Sequence, residues 1–139
     1  MIRIFTRGTY IHNTKKGFYY VYCFSNDRTR PAYTESKPYE CGSAFEAECE
    51  GVFRGLDWAG KNQLLIEPIE VYCSPSVALC LGPQTAKYFR PKNEAAERAI
   101  GPIRQMTRGM LDMKVSYYGR PSQDDSDPLT VKQVEQGLH

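Results

Sequence analysis

The order of two hydrophobic periodicities along this chain constrains its fold more than any single motif. Ile2-Arg3-Ile4-Phe5-Thr6-Arg7 alternates apolar and polar residues as a strand does. Asn13-Thr14-Lys15-Lys16-Gly17 has turn chemistry. Phe18 to Phe24 follows as an unbroken aromatic and β-branched run, the pattern of a strand buried on both faces. Ser25-Asn26-Asp27 makes another turn, and Thr29 to Tyr39 reads as a third strand that Pro31 and Pro38 confine to a sheet edge. From Ser43 onward the period becomes helical. Phe45, Cys49, Val52, Phe53 and Leu56 recur at helical spacing through Ser43 to Ala59 and define a buried stripe.

Ser43 with Glu46 three residues on fits a capping box, and Gly60 suits a left-handed helix end. Glu48 falls at the margin of the apolar stripe. Ile69 to Cys73 is expected as a fourth strand and Val77 to Leu81 as a short helix. Asn93 should cap a second long helix carrying Ala95, Ala96, Ala99, Ile100, Ile103, Met106 and Met110, kinked or split at Gly101-Pro102. Met113 to Tyr117 alternates as a fifth strand, and Leu129 to Leu138 has the pattern of a terminal helix. A three-strand meander followed by alternating helix and strand implies an α/β fold: a five-stranded mixed sheet with helices on both faces. Right-handed crossovers place the fourth strand beside the first.

At 139 residues, 41% hydrophobic and 24% charged, the chain has the composition of one globular domain spanning 1–139. No apolar run approaches the ~18 residues that cross a bilayer. Met-Ile-Arg-Ile-Phe reads as a strand start, so a cytoplasmic protein is expected. The net charge of +2 does not by itself indicate a nucleic-acid partner. Its distribution says more: Arg3, Arg7, Lys15, Lys16, Arg28 and Arg30 face only Asp27 in the first thirty residues. The five cysteines form no Cys-x-x-Cys pair, and His12 and His139 do not complete a zinc pattern. Reduced core thiols are expected. His12 has no motif around it for a cysteine or serine nucleophile, and no glycine-rich phosphate loop is present. Tyr19, Tyr20 and Tyr22 could stack on bases, but in mid-sheet such residues belong to the core.

The element order and the strand-end residues together resemble the ribonuclease H family over nearly the whole chain. Ile4-Phe5-Thr6-Arg7-Gly8-Thr9 is similar to the family's first-strand pattern apolar-Phe-Thr-Asp-Gly-Ser, with Arg7 at the aspartate. Ala47-Glu48 through Gly55-Leu56-Asp57-Trp58-Ala59 resembles the acidic helix. Ile69 to Ser74 resembles the strand ending in Thr-Asp-Ser, with Ser74 at the aspartate. Lys114 to Arg120 resembles the fifth strand and the Lys-Gly-His loop, with Arg120 at the histidine. Ser126-Asp127-Pro128-Leu129-Thr130 resembles the stretch supplying the last carboxylate, a place Asp124 or Asp125 could also fill.

The resemblance implies a site where four carboxylates hold two divalent metals for phosphodiester cleavage. Here that site becomes Arg7, Glu48, Ser74 and Asp127. A guanidinium is permanently charged and pairs with carboxylates, so Arg7 is expected to bind Glu48 or Asp127 and stand in for the metal. Two like unit charges near 4 Å cost ~4 kcal/mol at an effective dielectric of 20, and a dication roughly doubles this. Without the resemblance, Glu48 would be a solvated helix acid, Arg7 a surface residue and Ser74 an ordinary cap. With it, the expectation is a catalytically inactive protein with no metal and no cofactor. It would bind nucleic acid through Arg7, Lys15, Lys16 and Arg120 on the former substrate face. The alternatives are a protein-interaction or inhibitor module, such as a viral or mobile-element accessory protein, and a residual one-metal nuclease.

Overall fold

The computed structural model describes residues 1–25, 29–62, 67–108 and 115–119. Strand β1 (Ile2–Ile11) pairs antiparallel with β2 (Lys16–Ser25) from Ile2↔Ser25 to Ile11↔Lys16. It therefore runs past Arg7, where the apolar alternation ends, because the ladder to β2 persists through Gly8, Thr9 and Tyr10. The hairpin closes through Lys15, whose φ of 53° is the one positive value among described non-glycine residues. β3 (Tyr33–Glu40) extends the meander and begins later than Thr29; Pro38 lies within it, where an edge strand tolerates a missing donor.

Helix α1 (Ala44–Lys61) leads to β4 (Ile69–Cys73), then come α2 (Pro75–Leu81), α3 (Glu94–Arg108) and β5 (Val115–Gly119). The sheet order is β3-β2-β1-β4-β5, with β4 parallel to β1 and β5 parallel to β4. The mixed sheet and the neighbourhood of the first and fourth strands are as the element order implies. Gly60 does not end α1. Asn62 does, its side-chain amide donating to the Trp58 carbonyl at 2.8 Å. Nor does Gly101-Pro102 split α3, which runs as one helix. Pro102 is exposed, so the carbonyl it leaves without a helical donor can meet water. Asn93 caps that helix, its Oδ1 accepting from the Ala96 amide at 2.9 Å. Met110, Met113 and the helix expected over 129–138 lie outside the described residues.

One core cluster joins Ile2, Ile4, Val21, Ile69 and Val71 of the sheet to Val52 and Leu56 of α1 and Ile100 and Ile103 of α3. Phe5, Tyr22 and Phe24 form a second cluster on the alternate pleat, where Phe5 stacks on Tyr72 at 4.8 Å. Tyr19 and Tyr22 are 2% and 1% exposed, so both are core residues. No disulfide joins any of the five cysteines. No helix among the described residues is long and apolar enough to cross a membrane.

Candidate functional site

Helix α1 brings an acid to the sheet because its central face is made of small residues. Ala47, Gly51, Gly55 and Ala59 recur every four positions and are buried. With little side chain between them, helix and strand approach closely. A Cβ on Gly55 would stand 2.5 Å from Ile4 Cγ2, and one on Gly8 would stand 2.3 Å from the Glu48 amide nitrogen. Glu48 is consequently 1% exposed and lies within the buried face, not at its margin. The bulky residues Phe45 and Phe53, at stripe positions by their spacing, are only partly buried. The predicted capping box starts this helix: Ser43 Oγ accepts from the Glu46 amide at 3.2 Å and donates to Glu46 Oε2 at 2.8 Å. The return bond of Glu46 goes to the Gly42 amide at 3.0 Å.

Donors from two strands reach the Glu48 carboxylate. Thr6 Oγ1 on β1 and the Ser74 backbone amide at the end of β4 each donate to Oε1 at 2.9 Å. The acid thus ties α1 to the two central strands, a buried charge stabilised by charge-assisted hydrogen bonds. In the sequence Thr6 carries no signal beyond its place in a strand pattern. The Ser74 contact uses a backbone amide, which residue identity does not reveal. Ser74 is the N-cap residue of α2, yet its side chain makes no cap bond and its Oγ is buried without a partner. Burial, and then the Glu48 charge, pushes the neighbouring Cys49 thiol up, so it stays neutral.

The pairing of β1 with β4 stops at Phe5↔Tyr72. Beyond it the strands part, and a hollow of about 300 Å³ opens, lined by Arg7, Thr9, Phe45, Glu48, Ser74 and Ser76 among others. Three of the four sequence-assigned positions, Arg7, Glu48 and Ser74, therefore meet at one place. Asp127, its alternatives Asp124 and Asp125, and Arg120 lie outside the described residues. Lys15 and Lys16 are exposed at the hairpin and do not line the hollow. Even Ile11, where β1 ends, is four residues past Arg7, roughly 13 Å along an extended strand.

Among the described residues no group of three or more His, Cys, Asp or Glu side chains could hold a metal ion. The described lining offers one carboxylate, with one oxygen already accepting two hydrogen bonds, next to a guanidinium. Divalent magnesium needs hard oxygen ligands in near-octahedral geometry, and this donor set does not fit a pair of such ions.

No family model and no curated protein sequence matches this chain. Solved structures do. The N-terminal RNase H domain of Rv2228c from Mycobacterium tuberculosis superposes with a TM-score of 0.71 at 15% identity, covering 99% of this chain and 95% of that one. The fold is ribonuclease H-like. RNase H1 from the archaeon Halobacterium salinarum gives a TM-score of 0.70 at 12% identity over 99% of this chain and 96% of its own. LC11-RNase H1, solved in complex with an RNA/DNA hybrid, gives 0.68 at 16% identity with both chains fully covered. At these identities the likeness is one of fold. Within this ribonuclease H-like frame, Arg7 and Ser74 line the strand-end hollow beside Glu48.

Proposed function

We propose that this chain is a catalytically inactive ribonuclease H-like protein that binds nucleic acid through its strand-end face. The observation that carries the reading is Arg7 in the same hollow as Glu48 and Ser74. A permanent cation there favours direct contact with a phosphate over contact bridged by metals. The RNA/DNA hybrid bound by LC11-RNase H1 supports the ligand class. Lys15 and Lys16 would extend the contact along the backbone from the hairpin, and Arg120 has the same role by its sequence position. Glu48 and the acid assigned at Asp127 would hold Arg7 in place.

Fluorescence anisotropy in EDTA, with single-strand, duplex and hybrid probes, tests this. Affinity is expected to fall steeply with salt, and Arg7→Gln to weaken binding to every sequence alike while lowering the salt slope by about 0.7–0.9. Absent or salt-insensitive binding would sink the reading. Magnesium- or manganese-dependent cleavage that vanishes in Glu48→Gln would restore the residual nuclease instead. The alignment itself is tested by the double variant Arg7→Asp with Ser74→Asp, which should gain metal-dependent cleavage.

A protein-interaction module is the second reading, favoured by the exposure of Tyr88 (74%) and Phe89 (45%) on the segment before α3. A stoichiometric protein recovered by pull-down from nuclease-treated extract would support it over the first.

A further inference from the structure

A second pocket adjoins the Arg7 hollow and shares Phe45 and Ser76 with it. It measures about 380 Å³ and lies between the start of α1, helix α2 and the segment leading into α3. Its character differs from the hollow's. Phe45, Leu79, Phe89 and Pro91 give it apolar walls, and Arg90 and Lys92 add two cations. No carboxylate is among the described residues that line it. Phe89 is 45% exposed, so its ring is reachable by a ligand from solvent.

We propose that this pocket takes one unstacked base of a single strand, and that the protein therefore prefers single-stranded nucleic acid to duplex. The inference rests on the nucleic-acid reading above and deepens it. A base presents apolar faces and a polar edge, and single-strand binders combine aromatic surfaces with cations that follow the phosphates. Both are present in the two adjoining pockets, with Arg7 in one, Phe89, Arg90 and Lys92 in the other, and Phe45 in both. A base in a duplex is stacked and paired, and must be drawn out at a cost of a few kcal/mol before it can enter. An apolar peptide would fit the walls equally well. The two cations, the adjoining Arg7 and the absence of an acid in the described lining favour a polyanion.

Anisotropy with a labelled oligothymidylate, the same strand with abasic sites, a DNA duplex and an RNA/DNA hybrid separates the possibilities at fixed salt. The base-bearing strand is expected to bind at least about tenfold tighter than either duplex, and to lose roughly 5- to 100-fold when made abasic. Phe89→Ala should cost the base-bearing strand a similar factor while sparing the hybrid and the salt slope, and Phe89→Trp should retain affinity. Equal affinity for abasic and base-bearing strands, preference for the hybrid, or no effect of Phe89→Ala overturns the pocket assignment and leaves the salt-dependent nucleic-acid reading standing. No binding by any probe removes both.

Discussion

Replacing Gly8 with alanine should destabilise this protein by about 3 kcal/mol or more, read in urea as a large fall in midpoint or outright loss of the folded baseline. The added Cβ would sit 2.3 Å from the Glu48 nitrogen, 2.7 Å from the Ala44 carbonyl oxygen and 2.7 Å from the Glu48 Cα. All three obstacles are backbone atoms of α1, so no side-chain rotation relieves them. The helix must lift from the sheet, which also strains the bonds from Glu48 to Thr6 and Ser74. Gly55→Ala is the internal comparison. Its nearest obstacle is the Ile4 Cγ2 branch methyl at 2.5 Å, a side-chain atom and not backbone, and the expected loss is smaller, within the usual range of ~1–3 kcal/mol for an overpacked core. A Gly8→Ala protein with an unchanged midpoint would mean that α1 does not lie this close to β1.

That close approach also explains how the chain was legible in part. Strand alternation, the Ser43 cap and the crossover rule were enough for the mixed sheet, since each depends on local pattern or general handedness. Of the apolar stripe on α1, Cys49, Val52 and Leu56 are buried as the spacing implies, whereas the bulkier Phe45 and Phe53 flank the contact. Where a helix packs tightly on a sheet, glycine and alanine occupy the contact and large residues flank it, so Ala47, Gly51, Gly55 and Ala59 do not register as a hydrophobic stripe. Glu48 then looked marginal although it is central. The extent of β1 was underestimated for a related reason: Gly8, Thr9 and Tyr10 lack a strand pattern of their own and are held by pairing to β2. The meeting of Arg7, Glu48 and Ser74 was legible from order and spacing in a known pattern. The buried bonds that position Glu48 were not, because one donor is a backbone amide and the other a threonine whose orientation only the fold determines.

Glu48→Ala should likewise cost about 3 kcal/mol or more, whereas Glu48→Gln should cost about 1–2 kcal/mol. Alanine removes the acceptor that the Thr6 hydroxyl and the Ser74 amide share, and losing such a bond inside the fold costs about 1–3 kcal/mol. It also empties space at a position only 1% exposed. Glutamine retains a carbonyl oxygen for both donors, but it gives up the charge, which makes such bonds roughly twice as strong, and turns the second acceptor oxygen into an amide donor. Thermal or urea unfolding of the two variants beside the parent measures the contrast. A carboxylate retained chiefly to ligate metal would behave otherwise, since removing an electrostatically strained ligand leaves stability unchanged or raises it. An Ala variant as stable as the parent would therefore take away the structural reason for the acid and return Glu48 to the list of residues held for a ligand. The expected loss makes the opposite case: this chain can lack acids at Arg7 and Ser74 and still need Glu48, because the helix, the first strand and the end of the fourth are joined through it.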